Sequence, residues 1–169
     1  MKPFLFLLVL FLAIPAIGQE SVSAQSKAAL VGTWKLISAT DITDKGQVIK
    51  NPYGLNPTGL LTYTADGMMM DIITNGGRKS LSVPDWVSAP AEERAEALVT
   101  MVAYAGRFSV SGDKVVHHVE VAAVQNWVGT DLVRTIVKLE GKRVTLRVPP
   151  FLKGGLRFAS EELVWERVN

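Results

Sequence analysis

The chain contains no cysteine, which excludes disulfides, thiolate metal sites and a cysteine nucleophile. Lipoprotein processing is excluded with them, because it needs a cysteine at the cleavage site. A charge excess of one sign is also missing: 18 basic and 16 acidic residues leave a formal net charge of +2. No segment clusters its lysines and arginines, so nucleic acid is not an expected partner. Histidine is scarce, with only His117 and His118 in 169 residues. There is no Gly-x-Ser-x-Gly elbow, no phosphate-binding glycine loop and no dinucleotide fingerprint, and no cofactor is expected. Helical and extended stretches do not alternate, which disfavours a parallel sheet.

What is present begins with a targeting signal. Lys2 supplies a positive start, and Phe4–Ile14 is an apolar run too short to span a bilayer comfortably. Cleavage is expected after Gly18, with Ala16 at the −3 position, or alternatively after Ala24, with Val22 at −3. Residues 1–18 are therefore expected to be a signal peptide. The mature protein is expected in the periplasm or outside the cell, with no stable membrane insertion. Gln19–Lys27 is small and polar and is expected to be a loose tail. Residues 28–169 form the expected single domain, long enough for a sizeable core.

Most of that domain reads as strands. Leu30–Thr40 carries Leu30, Gly32, Trp34, Leu36 and Ser38 on one face by period two. Val48 and Ile49 make a short strand after the Asp44-Lys45-Gly46 turn. Leu60–Thr64 and Met68–Thr74 form a hairpin around Ala65-Asp66-Gly67. Further strands are expected at Phe108–Ser111, Lys114–Val124, Asp131–Leu139, Arg143–Val148 and Glu162–Val168. One helix is expected, over Pro90–Ala103, with Glu92 and Glu93 in its first turn and an apolar stripe of Ala95, Leu98, Val99 and Val102. That stripe must pack on the sheet or over a barrel end. Consecutive antiparallel strands in this number close well into an up-and-down barrel, which removes exposed edges. The expected fold class is all-β with one inserted helix.

Several blocks then point to a family. They are Leu30-Val31-Gly32-Thr33-Trp34-Lys35-Leu36, Asn51-Pro52-Tyr53-Gly54, the run from Pro57 to Gly67, Tyr104-Ala105-Gly106-Arg107-Phe108, His117-His118-Val119-Glu120, Asn126-Trp127-Val128-Gly129-Thr130, Arg134 and Leu163-Val164-Trp165-Glu166-Arg167. The first resembles the opening Gly-x-Trp strand of lipocalins. The set, in this order, more closely resembles the bacterial and fungal lipocalin-like domain proteins and covers essentially all of the mature chain. The resemblance implies a barrel of eight to ten antiparallel strands around a central cavity. It also implies that Trp34 packs under an arginine from the barrel's end, for which Arg167 is the candidate. The lipocalin disulfide is absent, and a signal peptide departs from the cytosolic members of the group.

The candidate site residues are Tyr63, Met70, Tyr104, His117, Asn126, Trp127 and Arg134. His117 and His118 are neighbours on a strand and face opposite ways, so they cannot chelate one ion. His117 shares its face with Val115, Val119 and Val121, which directs it into the cavity. There it is a hydrogen-bonded structural group, a ligand contact or a general base. His118 and Glu120 supply at most two metal ligands and no further histidine exists, so no metal is expected. Trp127 either stacks on a flat ligand or plugs the barrel. Arg134 lies among apolar neighbours and needs a partner, either an internal carboxylate such as Glu120 or Glu166 or the carboxylate of a ligand. Of the three consecutive methionines at least one points inward.

Two functions compete at this stage. One is a carrier of a small, mostly apolar molecule, anchored by His117 and Arg134. The other is an isomerase or cyclase in which His117 acts as the base. A filled barrel without a ligand is the third outcome.

Overall fold

The computed structural model describes residues 26–168. The expected signal peptide lies outside the described residues. Residues 26–30 form a helical turn, in place of a tail running into a strand. Ten strands follow: β1 (Gly32–Thr43), β2 (Val48–Lys50), β3 (Thr58–Tyr63), β4 (Met68–Thr74), β5 (Met101–Ser111), β6 (Lys114–Ala122), β7 (Asp131–Glu140), β8 (Arg143–Val148), β9 (Phe151–Lys153) and β10 (Leu156–Arg167).

The hydrogen-bonded order is β1-β3-β4-β5-β6-β7-β8-β10, and β10 pairs back onto β1. Eight antiparallel strands therefore close on themselves, the barrel that the turn spacing predicts. The two short strands extend its wall at one end. β2 pairs with β1 at Thr40–Ile42, and β9 pairs with β10 at Leu156–Phe158. β9 and the first half of β10, residues 156–161, were not expected from the sequence. The Pro149-Pro150 and Gly154-Gly155 pairs conceal a three-residue strand between them.

Two bulges change the period-two reading. The β1–β10 register shifts between Leu36 and Ser38. The inward face therefore passes from Trp34 and Leu36 to Ala39 and Asp41, and Ser38 leaves the core face. The β5–β6 register shifts at Gly106, opposite Val119 and Val121. A Cβ on Gly106 would lie 2.0 Å from the His118 carbonyl oxygen, so only glycine allows the strands this close. Beyond the bulge Val121 turns outward, while Val115, His117 and Val119 stay inside.

The helix spans Ala91–Val99 and stops where the chain extends into β5 at Met101. None of its residues is buried, which corrects the expectation of a packed apolar stripe. Leu98 and Val99 stand at the barrel's open end, and Val102 belongs to β5. Among the described residues no helix is long and apolar enough to cross a membrane.

The opposite end is closed. Leu30 in the helical turn is fully buried, and its carbonyl accepts the Trp34 indole N–H at 2.8 Å. Arg167 lies over the Trp34 ring, 4.1 Å from its centroid. Its guanidinium donates to the Val31 carbonyl at 2.6 Å and the Ala29 carbonyl at 2.5 Å. The stack contributes about 0.5–2 kcal/mol and joins the first strand, the last strand and the turn before them. Gly32 has φ +135, and a Cβ there would sit 2.3 Å from the Arg167 guanidinium. Only glycine serves at that position.

Candidate functional site

The interior divides into a filled half and an open half. Around the middle and the closed end, Trp34, Leu61, Tyr63, Met69, Val115, Val144 and Trp165 pack with almost no exposure. Toward the other end a cavity of about 590 Å³ opens. Its walls are mostly apolar, with Ile73, Val102, Leu132, Leu163 and Trp127 among them. Its polar floor and sides come from Tyr53, Asp71, Tyr104, Arg134 and Glu161.

Strand alternation explains the floor. On β4, Met69, Asp71 and Ile73 face inward, while Met70 and Ile72 face solvent. Met70 is 52% exposed and does not line the cavity, so the inward methionine is its neighbour Met69. Asp71 occupies an otherwise apolar face. Tyr104 is its partner across the β4–β5 ladder. The Tyr104 hydroxyl donates to Asp71 Oδ2 at 2.9 Å and lies 2.9 Å from His117 Nδ1. His117 Nε2 lies 2.6 Å from the Tyr63 hydroxyl. A chain of hydrogen bonds thus runs from the cavity floor at Asp71 through Tyr104 and His117 to Tyr63 in the filled half.

The donor count gives this chain a direction. The Tyr104 hydrogen goes to Asp71, so the Tyr104 oxygen must accept from His117 Nδ1–H. Nε2 then accepts from the Tyr63 hydroxyl. The imidazole is neutral in this arrangement. Burial, followed by the charge of Arg134, holds the His117 pKa well below its ordinary value. Burial pushes Asp71 up to about 6, against the pull of the Tyr104 hydroxyl and Arg134. Burial and the Asp71 charge hold Tyr104 well above the usual phenol range.

Arg134 lines the cavity from β7. Burial works against its charge, but Tyr104, Asp71, Tyr63 and Glu161 together hold its pKa above the ordinary arginine value. Among the described residues its guanidinium makes one hydrogen bond, to the Val133 carbonyl at 3.0 Å, and no ion pair. The internal carboxylates expected for it are corrected. Glu120 pairs with Arg107 at 3.4 Å and Glu166 with Arg143 at 3.1 Å, both on the barrel exterior. The carboxylates that act on Arg134 are Asp71 and Glu161.

A second acidic group borders the cavity. Asp41 and Glu161 are opposite partners across β1–β10, and both are buried. Burial, then the Asp41 charge, pushes Glu161 up to about 7. Burial also raises Asp41, while Lys153 lowers it. Lys153 Nζ from β9 is 3.8 Å from Asp41 Oδ2 and sits over the Tyr53 ring at 4.9 Å.

Of the residues singled out from the sequence, Tyr104, Trp127 and Arg134 line the cavity. Trp127 meets the Tyr104 ring edge-on, with centroids 6.0 Å apart. Tyr63 and His117 lie beneath the floor and do not line it. Asn126 is exposed, because successive residues of the 3-10 turn Gln125–Trp127 point apart. His118 is outside, 2.7 Å from Asp131 Oδ1 and 2.8 Å from the Ser109 hydroxyl. Among the described residues no group of three or more acids and histidines is placed to hold a metal ion. Tyr53, grouped from the sequence with Tyr63 and Tyr104 as a tyrosine that fills or lines the cavity, does line it, whereas Asp71, Glu161 and Asp41 escaped sequence reasoning. An aspartate alternating with Met69 and Ile73 was the readable signal for the first of them.

No curated protein matches the chain. Among solved structures, a redesigned β-barrel aligns at TM-score 0.41 and 8% identity, over 85% of this chain and 95% of its own. A family model described as the lipocalin-like domain matches residues 31–168, and the chain belongs to that family.

Proposed function

We propose that the protein is an exported carrier that holds a small, mostly apolar molecule in the open half of its barrel. The observation that carries this reading is the cavity of about 590 Å³, with mostly apolar walls and a small number of polar groups, Tyr104 and Arg134 among them. That is the usual make-up of a small-molecule site. Tyr104, Trp127 and Arg134 are the proposed contacts. Tyr63 and His117 act from below by fixing the Tyr104 hydroxyl.

Nothing in the site favours catalysis through His117. The ring is fully buried, and each nitrogen already faces a tyrosine hydroxyl. A general base must reach the proton it removes. The export part of the proposal rests on Lys2 and the Phe4–Ile14 run. It places the protein in the periplasm or the medium.

Native mass spectrometry of the protein purified from its producing cells, with organic extraction, tests both parts. A stoichiometric small molecule on a chain starting near residue 19 or 25 is expected. A full-length chain found only in the cytosol contradicts export. An apo mass, with no uptake from the extract when it is added back, contradicts the carrier.

A further inference from the structure

The geometry points to Ser109 as the nucleophile of an acyl-transfer site on the outer wall of the barrel, acting on short, activated esters. The site lies outside the cavity and stands independently of the carrier reading.

Three adjacent strands supply it. Ser109 is on β5, His118 on β6 and Asp131 at the start of β7. Ladder pairing fixes their places. Ser109 is opposite Val116, and His118 is opposite Arg107 on one side and Asp131 on the other. Alternation turns all three outward, because their neighbours Phe108, His117 and Leu132 face the interior. His118 Nε2 lies 2.8 Å from the Ser109 hydroxyl, and His118 Nδ1 lies 2.7 Å from Asp131 Oδ1. Ser109 is exposed, and the His118 side chain is 40% exposed, so both are open to a substrate.

The order of the contacts sets the protons. A carboxylate only accepts, so Asp131 holds the ring hydrogen on Nδ1. In the neutral ring Nε2 is then the acceptor and takes the Ser109 hydrogen. An imidazole activates a serine in this way, with the carboxylate as its positioning residue. Ser109 Oγ bonds to the acyl carbon while its proton passes to His118 Nε2. The bond to the leaving oxygen breaks, and His118 gives that oxygen the proton. Water attacks by the same route, releasing the acid and restoring Ser109.

The surroundings set the substrate class. β5 is paired on both sides, so its backbone N–H groups are engaged in the ladders. The donor for the oxygen that gains charge is Arg107, which shares the outer face with Ser109 and lies about 7 Å along the strand. Its ion pair with Glu120 is exposed and weak, which leaves the guanidinium free to turn. A single mobile donor suits esters with good leaving groups. Val116 and Val133 are ladder partners on the same face and cover an acyl chain of a few carbons.

The purified protein is treated with a fluorophosphonate, which phosphonylates an activated serine and expels fluoride, and separately with p-nitrophenyl acetate. One phosphonyl group on Ser109, located by peptide mass spectrometry, is expected, together with release of p-nitrophenolate. Ser109→Ala should abolish both. His118→Gln should slow both at least tenfold, with the melting temperature unchanged. Asp131→Asn should slow both less, and Asp131→Glu should recover part of that loss. Because the chain has no cysteine, Ser109→Cys carries a single thiol. Iodoacetamide should alkylate it at least tenfold faster than in the Ser109→Cys, His118→Gln double variant.

A native protein that stays unlabelled, or is labelled on other serines with Ser109 free, overturns the inference. Labelling of His118→Gln at the native rate does the same. Equal alkylation of the two thiol variants would mean that the imidazole activates nothing at position 109, leaving the three residues a polar network of the surface only.

Discussion

At the closed end Trp34 and Trp165 are fully buried, and Arg167 reaches across the first strand to two carbonyls of the turn before it. At the open end Asp71 Oδ1 and Glu161 Oε1 are equally cut off from solvent yet make no hydrogen bond. The same eight strands build both. One end packs its side chains into a core, in which Trp165 Nε1 also lacks a hydrogen-bond partner, and the other leaves a space between its strands. What separates the halves is therefore space: the packed end holds the fold together, and the open end, under the carrier reading, is where a ligand fits.

That division is broken most forcefully at Trp34. Trp34→Ala should destabilise the protein by about 3–5 kcal/mol in urea unfolding, through the cavity created and the lost bond to Leu30. A loss below about 1 kcal/mol would show that the closed end is not the stabilising end. Gly32→Ala and Arg167→Ala sharpen the point. Each should cost about 1–3 kcal/mol, because the new Cβ expels the same guanidinium that the second change removes. The double variant should lose clearly less than the sum. Additive losses would mean that the two sites do not share the latch.

At the open end the expected sign is reversed. Glu161 has its folded pKa raised from 4.5 to about 7, so its protonated form is the stabilised one. That stability is fully present below about pH 4.5 and is lost as pH rises through about 7. Glu161→Gln copies the neutral form. It should raise stability by roughly 2 kcal/mol at pH 8.5 and by almost nothing at pH 4. Thermal unfolding across this range checks it, and a loss at pH 8.5 would contradict the account.

The smallest effect concerns the boundary between the halves. His117 is held below its ordinary pKa of 6.5. Its imidazole 15N shifts should therefore show a neutral ring with the proton on Nδ1 and no titration around that ordinary value. Titration near the ordinary value would place the ring in the wet half.

Much of this was legible in the sequence, for physical reasons. Strands with short turns announce a closed antiparallel barrel, and the alternation around His117 correctly sends it inward and His118 outward. The failures have specific causes. Asp41 was hidden by the bulge after Leu36, which turns Ala39 and Asp41 inward in place of Ser38 and Thr40. Glu161 was hidden because the acidic Ser160–Glu162 segment masks the early part of β10. Met70 was chosen over Met69 from a run that straddles both faces, where alternation alone sets no phase. The partners of Arg134 come from strands distant in the chain, and no local pattern reports them.

The most direct test of the two-ended barrel is titration of N-phenyl-1-naphthylamine into the native protein and into Val102→Trp. Val102 lines the cavity and lies outside the latch, so an indole there fills the open half. The account predicts saturable one-to-one binding to the native protein, weakened at least tenfold in the variant, with the melting temperature of the variant held or raised. Equal binding by both proteins, or none by the native one, would contradict it.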